Sequence, residues 1–309
     1  MIKLFSGTSN PTLTYEVGKL IKIPVSKAEV IRFDNSEVKV TVQEPVKDKV
    51  CVILQSTSNP TDTNLMELFF FADALKRAQA KKVIAFIPYF GYARQNREHR
   101  IGESVSINVV IRFLETVGFN EVYTFDLHDE GTEGIFSIPF KNLSTLPFLA
   151  KNVNNYLIST CLSISTAVVS PDQGGVERAR NFAEHFYGAK KGEIVVVEKK
   201  RNLDVIHNSQ ALDLYGNVKN KICVLVDDII TSGKTLVNAS ELCLKRGAKK
   251  VIAVATHHDF SQSSLKRLEQ SPIEKIFTTN TINLKKEQQF PKLEEISVAE
   301  LITKELRKM

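Results

Sequence analysis

The feature that most limits the possible folds is a series of short, continuous apolar runs, rich in Val and Ile, that alternate with helical patterns. The runs occupy residues 50–56, 83–90, 122–128, 167–172, 194–199, 222–228 and 251–258. Continuous apolar runs indicate strands that are covered on both faces. Helical patterns at 64–80 and 236–246 lie between runs, and Gly247 follows the second as a C-terminal cap. This order predicts an α/β fold with central parallel sheets flanked by helices.

One part of this pattern occurs twice. The stretch "ALKRAQAKKVIAF" (74–86) resembles "CLKRGAKKVIAV" (243–254), and each follows an apolar strand and a helix. We interpret the match as one α/β unit used twice; the alternative is convergence, since Lys-Lys-Val-Ile is a common joint between helix and strand. A chain of 309 residues is long enough for two domains. We place them at 1–145 and 146–309, with the final segment packing on the first.

Charge and composition narrow the class of ligand. The net charge is +6 and the pI is near 9.0, which suits an anionic partner. The cations concentrate at 94–100 and 199–201 without interleaved aromatic residues, which favours phosphorylated metabolites over nucleic acid. No apolar segment approaches the ~20 residues of a membrane span, and the N-terminus lacks a secretory apolar region. We therefore expect a cytoplasmic protein that binds no membrane.

The cysteines support a reducing compartment. None of the four forms a Cys-x-x-Cys pair, and most lie in apolar strand or helix patterns, so we expect buried free thiols. They are Cys51, Cys161, Cys223 and Cys243.

The strongest chemical signal is "VLVDDIITSGKTL" (224–236), in which an acid pair closes a strand and a hydroxyl-rich loop precedes a helix that begins near Thr235. A helix N-terminus surrounded by Ser, Thr and Gly binds phosphate. Adjacent carboxylates would repel a phosphate, so Asp227 and Asp228 are expected to hold sugar hydroxyls or a divalent cation. A phosphosugar explains all of these features, and a solvated turn is the alternative. A Walker A loop is excluded because it needs glycine where Asp228 stands.

Other polar motifs follow strands, where α/β sheets bind ligands. "YARQNR" (92–97) offers arginine forks that suit phosphate and purine. "DLHDEGTE" (126–133) is acidic around a histidine, and "SPDQGG" (170–175) combines an acid with glycines. "EKKR" (198–201) places cations at a strand end. By themselves these motifs are equally compatible with solvated loops, a capping histidine and a tight turn.

Taken together, the motifs resemble the ribose-phosphate pyrophosphokinase family over nearly the full length of the chain. The matching stretches include "LFSGTSNPTL" (4–13), "QSTSNPTDTNLMEL" (55–68), "IPYFGYARQNR" (87–97), "VVSPDQGG" (168–175), "LVDDIITSGKT" (225–235) and "TNTI" (279–282). The resemblance implies two similar phosphoribosyltransferase-type (type I) domains related by internal duplication, the first with a degenerate phosphate loop. It also implies MgATP and ribose 5-phosphate as substrates and a homo-oligomer, a hexamer or a smaller even assembly.

The resemblance also implies a role for each motif. The resemblance assigns catalysis to Lys199 and Arg201. ATP binding falls to Phe33, Asn35, Ser36, Glu37, Arg94, Gln95 and Arg97. Ribose 5-phosphate binding falls to Arg201, Asp227, Asp228, Thr231, Ser232, Gly233, Lys234 and Thr235. The Mg²⁺ of MgATP is assigned to His128 and Asp172, with direct or water-mediated contact of His128 left open.

The expected reaction transfers the β,γ-pyrophosphoryl group of MgATP to O1 of ribose 5-phosphate, giving AMP and phosphoribosyl pyrophosphate. One alternative is a phosphoribosyltransferase, which shares the loop at 231–235 but not "YARQNR". The other is a non-catalytic regulatory paralogue, suggested by departures from the family at Asn35, Ser137 and Lys141.

A further departure concerns regulation. Well-known members of the family use serine and arginine side chains to build a second anion site for phosphate and ADP. This chain has Pro45 and Lys47 in one contributing stretch, and Ile101 and Gly102 in the other. The resemblance therefore implies that this regulatory site is lost.

Overall fold

The computed structural model describes residues 2–160, 165–189, 192–199 and 211–309, without the side chains of Lys199, Ala211 and Leu212. Arg201 and Cys161 lie outside the described residues. The chain divides into two compact units. The first comprises Met1–Ser144, Asn280–Asn283 and Ser297–Met309, and the second comprises Thr145–Thr279 and Leu284–Ile296.

The first unit is built on a parallel sheet in the order β1-β4-β5-β6-β7. Its strands are β1 (Ile2–Ser6), β4 (Val50–Leu54), β5 (Lys82–Ile87), β6 (Glu121–Phe125) and β7 (Phe140–Leu143). Its helices are α1 (Pro11–Ile21), α2 (Thr61–Arg77), α3 (Ser106–Val117) and α8 (Ala299–Leu306), with a 3-10 helix at Glu130–Ile135. A separate antiparallel hairpin consists of β2 (Ala28–Arg32) and β3 (Val38–Val42).

Both faces of this sheet are buried, as the continuous apolar runs predict. In β4, Cys51 and Ile53 pack with residues of α2 and α3 on one face. Val52 and Leu54 pack with residues of α1 and α8 on the other face. Because successive strand side chains point to opposite faces, a strand covered on both sides must be apolar at every position.

The second unit carries a larger sheet in the order β10-β9-β8-β11-β12-β13-β14, parallel except for β10. Its strands are β8 (Thr166–Ser170), β9 (Ile194–Lys199), β10 (Ala211–Tyr215), β11 (Ile222–Ile230), β12 (Lys250–His258), β13 (Lys275–Thr279) and β14 (Leu293–Ile296). Its helices are α4 (Leu146–Ser159), α5 (Val176–Tyr187), α6 (Lys234–Lys245) and α7 (Ser264–Gln270), with a 3-10 helix at Lys286–Gln288. Helices α4 and α5 cover one face, and α6 and α7 cover the other. The predicted α/β fold with parallel sheets and flanking helices is confirmed.

The internal repeat extends further than the quoted sequence match. It consists of β4–α2–β5 in the first unit and β11–α6–β12 in the second. In each, a left-handed residue precedes the first strand: Asp48 has φ 59° and Asn220 has φ 61°. Their N–H groups donate to Gln79 O at 3.0 Å and to Gly247 O at 2.8 Å, respectively. The same turn thus ties the start of the strand to the end of the helix in both units.

The expectation of buried free thiols holds for the cysteines that the structure describes. Cys51, Cys223 and Cys243 are buried and form no disulfide. No described helix combines the length and the apolar character needed to span a bilayer.

A buried carboxylate organises the polar edge of the first sheet. Glu67 of α2 is 0% exposed. It accepts hydrogen bonds from the Thr8 N–H at 2.7 Å, the Thr8 hydroxyl at 2.6 Å and the Gln55 side-chain amide at 3.1 Å. Gln55 Oε1 in turn accepts from the backbone and hydroxyl of Ser9. The loops after β1 and β4 are therefore fixed to α2 by one acceptor.

We expect Glu67→Ala to lower the free energy of unfolding by about 3 kcal/mol, because it leaves buried donors without an acceptor. Urea denaturation followed by circular dichroism measures the change. The matched control is Asp73→Ala on the same helix, which removes an exposed pair with Arg77 and should cost less than ~0.5 kcal/mol. Equal effects of the two substitutions would contradict the structural role of Glu67.

Candidate functional site

The hydroxyl-rich loop is shorter than the sequence suggests. Strand β11 continues to Ile230, and α6 begins at Lys234, one residue before the expected start at Thr235. Only Thr231, Ser232 and Gly233 connect them. Gly233 has φ 71°, and no side chain caps the N-terminus of α6. The Lys234 N–H donates to Ser232 Oγ at 3.4 Å, a long hydrogen bond within the loop. A helix N-terminus that follows a short loop of Thr, Ser and Gly is the arrangement that binds phosphate.

Asp227 and Asp228 lie inside β11 rather than beyond its end. The strand continues because β12 is equally long, and Ile229 and Ile230 pair in register with His257 and His258. Successive strand residues point to opposite faces. A hydrogen bond nevertheless connects the two acids, since the Asp228 N–H donates to Asp227 Oδ1 at 3.0 Å. Their side chains are 17% and 6% exposed.

A cation that sequence reasoning missed lies between the acids. Arg178 Nη1, on α5, is 3.5 Å from Asp227 Oδ1 and 3.3 Å from Asp228 Oδ1. Burial raises the pKa of Asp227 well above its usual range, and the neighbouring Asp228 raises it further, whereas Arg178 lowers it. Arg178 therefore compensates part of the negative charge. The signal for it was "GGVERAR", which reads as an ordinary amphipathic helix start.

Asp172 lies in the loop after β8, the strand beside β11. Its Oδ1 accepts from the Gly175 N–H at 3.1 Å, and its carbonyl accepts from the Ser170 hydroxyl at 2.6 Å. Its carboxylate is close enough to Asp227 to contribute to the raised pKa of that residue. The second unit thus brings together Asp172, the acid pair and the loop at 231–233 at the carboxyl edge of one sheet.

Lys199 is the last residue of β9, on the other side of β8. Its backbone pairs with Ala211 of β10. The structure describes neither the Lys199 side chain nor Arg201, and their predicted roles stay predictions.

In the first unit, the motif "YARQNR" follows β5, and "DLHDEGTE" follows β6. Arg94, Gln95 and Arg97 are exposed. Gln95 is anchored to the start of α3, since its Oε1 accepts from the Ser106 hydroxyl at 2.7 Å. The two motifs are joined because the Asn96 side-chain amide donates to the Asp129 carboxylate, next to the exposed His128. Asn96 was not among the predicted site residues.

The stretch "RFDNSE" forms the tip of the β2–β3 hairpin. The Phe33 N–H donates to Glu37 O at 2.8 Å, and the Asn35 side chain accepts from the Glu37 N–H at 3.2 Å. Ser36 has φ 72°. The Phe33 ring is 47% exposed, so an aromatic side chain is displayed on a hydrogen-bonded turn.

The described residues form no cluster of three or more His, Cys, Asp and Glu side chains that could hold a metal by themselves. The oxygen donors nearest to such a role are Asp172, Asp227 and Asp228, and carboxylate oxygens are ligands that Mg²⁺ accepts. Mg²⁺ commonly binds through one or two carboxylates together with substrate phosphates and water. The donor set therefore fits a Mg²⁺ ion that enters with its nucleotide.

Comparison with known proteins covers nearly the whole chain. Residues 2–118 match the family model described as the N-terminal domain of ribose phosphate pyrophosphokinase, and residues 159–309 match the phosphoribosyl synthetase-associated domain. Ribose-phosphate pyrophosphokinase 1 of Listeria monocytogenes is 36% identical over 301 residues, covering 97% of this chain and 92% of the relative. The enzyme of the same name from Streptococcus pyogenes gives the same identity and coverage.

A solved structure agrees with these relatives. The crystal structure of phosphoribosylpyrophosphate synthetase from Mycobacterium smegmatis superposes with a TM-score of 0.91 at 31% identity. The match covers 99% of this chain and 97% of that one. Sequence motifs, both family models and the full-length structural match agree, and the chain belongs to the ribose-phosphate pyrophosphokinase family.

Proposed function

We propose that this protein is a ribose-phosphate diphosphokinase, which transfers the β,γ-pyrophosphoryl group of MgATP to O1 of D-ribose 5-phosphate. The products are AMP and 5-phospho-α-D-ribose 1-diphosphate, a precursor for nucleotide biosynthesis. The observation that carries the proposal is the edge of the second sheet. There, β11 carries the acid pair, and two strand residues later a three-residue loop, Thr231–Gly233, leads to a helix N-terminus without a side-chain cap.

The 5-phosphate of the sugar is bound by the loop and the first turn of α6. Backbone N–H groups and the hydroxyls of Thr231, Ser232 and Thr235 donate to the phosphate oxygens, and Lys234 adds a charge. Asp227 and Asp228 accept from the ribose hydroxyls. Because Arg178 offsets part of their negative charge, the repulsion between the two acids and the nearby phosphate is reduced.

The ATP is bound by the exposed motifs of the first unit. Arg94 and Arg97 suit its phosphate oxygens, and Gln95, held by Ser106, can recognise a polar group of the nucleotide. Phe33 at the hairpin tip stacks on adenine, with Asn35, Ser36 and Glu37 around it. We propose that this tip serves a neighbouring subunit's ATP in a homo-oligomer, a hexamer or a smaller even assembly.

In the reaction, the O1 hydroxyl of the sugar attacks the β-phosphorus in line. The new O1–Pβ bond forms as the bond from Pβ to the oxygen bridging the α-phosphorus breaks, and AMP leaves. Transfer of this kind depends on positioning and charge neutralisation. Mg²⁺ entering with ATP would neutralise further phosphate charge, with Asp172 as a proposed ligand. The role predicted for His128 stays a prediction. Lys199 and Arg201 neutralise the transferring group, with Arg201 also reaching the sugar phosphate.

Two of the three departures from the family pattern have local structural roles, which argues against a non-catalytic paralogue. The Ser137 N–H donates to Glu115 at 2.5 Å. The Lys141 ammonium lies 3.8 Å from Glu305 and 5.2 Å from the centre of the Tyr123 ring. Asn35 stabilises its own turn, as short polar side chains do. Lys141 thus serves the packing of the first unit and Asn35 shapes the hairpin tip, whereas the Ser137 contact uses a backbone N–H that any residue except proline supplies. The site residues predicted in the second unit are unaffected.

The cytoplasm is the compartment that we propose, since Cys51, Cys223 and Cys243 are buried without disulfides and free thiols persist in a reducing environment.

The function is tested by incubating the protein with ribose 5-phosphate and MgATP and following phosphorus NMR. AMP and a pyrophosphorylated sugar support it. Consumption of phosphoribosyl pyrophosphate with a base would favour a phosphoribosyltransferase, and no turnover would favour the regulatory paralogue.

We expect Lys199→Ala to lower kcat by roughly 10²–10³, the effect of removing one charge partner of the transition state. The KM for ATP should change much less, because the lysine acts on the transferring group. Steady-state kinetics measure both constants, and Lys245→Ala, at the distant end of α6, is the control. A variant that keeps most of its turnover would exclude this role for Lys199.

We expect Asp227→Ala and Asp228→Ala to raise the Kd for ribose 5-phosphate at least about tenfold, through the loss of charged hydrogen-bond acceptors. The Kd for ATP should stay within about twofold. Calorimetry with each ligand alone measures the effects, and Asp213→Ala, which removes an exposed acid of the same unit, is the control. Equal weakening of both ligands would argue against a role specific to the sugar.

We also expect full activity without added inorganic phosphate. Pro45, Lys47 and Ile101 are exposed, and Ile101 fully so. Exposure does not make them an anion site, because proline has no hydroxyl or N–H and isoleucine offers no side-chain donor. Losing several charge-assisted hydrogen bonds of ~1.5–3 kcal/mol each abolishes affinity for a millimolar effector. Initial rates across a phosphate series test this, with ADP inhibition measured at several ATP concentrations. Strong phosphate activation, or inhibition that saturating ATP does not relieve, would show that the regulatory site persists.

A further inference from the structure

We infer that Arg267 of α7 is a positioning residue for the ribose-phosphate loop: it holds the peptide between Ser232 and Gly233 in the orientation that binds the phosphate. This inference rests on the proposed function, because it takes the sugar phosphate as the ligand of the loop. It assigns a role to a side chain that lies behind the loop and to the short helix that carries it.

The backbone carbonyls of the loop are engaged one after another. From Ile230 to Gly233, each carbonyl accepts a hydrogen bond. The donors are, in chain order, the Asp259 N–H at 2.9 Å, the Ser261 N–H at 3.2 Å, the Arg267 guanidinium and the Val237 N–H at 3.0 Å. Among these donors Arg267 alone is a side chain, so it is the one that a substitution can remove without altering the backbone.

Anchored carbonyls determine where the N–H groups point. In a trans peptide, the C=O and the N–H of one plane point in opposite directions. Because the Ser232 carbonyl is held towards Arg267, the Gly233 N–H points away from α7. The Thr231 carbonyl, held by Ser261, directs the Ser232 N–H in the same way. Successive N–H groups directed to one side, ahead of a helix N-terminus, form a concave anion site.

Gly233 is the reason that this peptide needs an anchor. Its φ of 71° is strained for other residues, but glycine adopts positive and negative φ almost equally well. The peptide before it can therefore rotate at little cost. Rotation would turn the Ser232 carbonyl oxygen, instead of the Gly233 N–H, towards the phosphate, and the oxygen dipole repels an anion. The bond from Arg267 opposes this rotation.

The same helix also supports the loop by packing. Leu268 is 0% exposed, and a Cβ added at Gly233 would lie 2.9 Å from Leu268 Cδ2. The start of α7 is fixed in turn, because the Ser264 hydroxyl donates to Ser261 O at 2.7 Å. Neighbouring residues of α7 thus supply a hydrogen bond to Ser232 and a close apolar contact at Gly233.

The test compares Arg267→Ala with Lys266→Ala, an exposed cation on the same helix that serves as the matched control. Isothermal calorimetry of ribose 5-phosphate with the full-length protein gives the Kd without turnover. We expect Arg267→Ala to raise this Kd about tenfold, the effect of losing one hydrogen bond from a charged group. Lys266→Ala should change it less than about twofold. The Kd for ATP and the kcat at saturating sugar should be unchanged in both variants.

Arg267→Lys supplies the second measurement if the alanine variant does not fold by circular dichroism. It keeps the charge and the aliphatic stem but loses the planar fork, so an intermediate Kd is expected. Binding within about twofold of wild type in a folded Arg267→Ala variant, or in Arg267→Lys if alanine does not fold, would overturn the inference. Wild-type protein that binds ribose 5-phosphate but releases no AMP would refute the proposed function and leave the inference intact. Wild-type protein that does not bind the sugar would overturn both.

Discussion

Burial of both faces of a parallel sheet is the constraint on which the rest of this structure depends. A strand such as β11, with α5 on one face and α6 on the other, has no room for polar side chains along most of its length. Polar chemistry is therefore confined to the carboxyl edge, where strands give way to loops. Asp227, Asp228 and the loop at 231–233 occupy this edge, and Asp172 reaches it from the neighbouring strand.

The two copies of the repeated unit use this edge differently. After β11, a three-residue loop leads to a helix N-terminus without a side-chain cap. After β4, the first turn of α2 contains Asp62, which accepts a hydrogen bond from the Tyr92 hydroxyl. Further along α2, Glu67 accepts hydrogen bonds from Thr8 and Gln55. The first copy thus places carboxylates with protein partners near this edge, whereas the second places hydroxyls and a glycine there, which are features of an anion site.

Sequence patterns predicted the fold because the apolar runs and the helical periodicity report burial directly. They also located the acid pair and the loop. They misplaced the end of β11, because its last residues depend on pairing with β12, a contact between positions distant in the chain. Arg178 and Arg267 were missed for the same reason. Each lies on a helix where an arginine usually faces solvent, and its partners become apparent when the helix is packed beside the strand or loop that it contacts.

The return of α8 to the first unit has a consequence for synthesis of the chain. Val298, Ala299, Ile302 and Leu306 are buried against the same face of the first sheet as Leu13 and Val17 of α1. On the ribosome, α1 and the strands of that sheet emerge long before α8, since the entire second unit is translated in between. One apolar face of the first unit therefore stays incompletely covered until α8 emerges. Domains generally fold as units during synthesis, N-terminal first, and here the N-terminal unit is completed last.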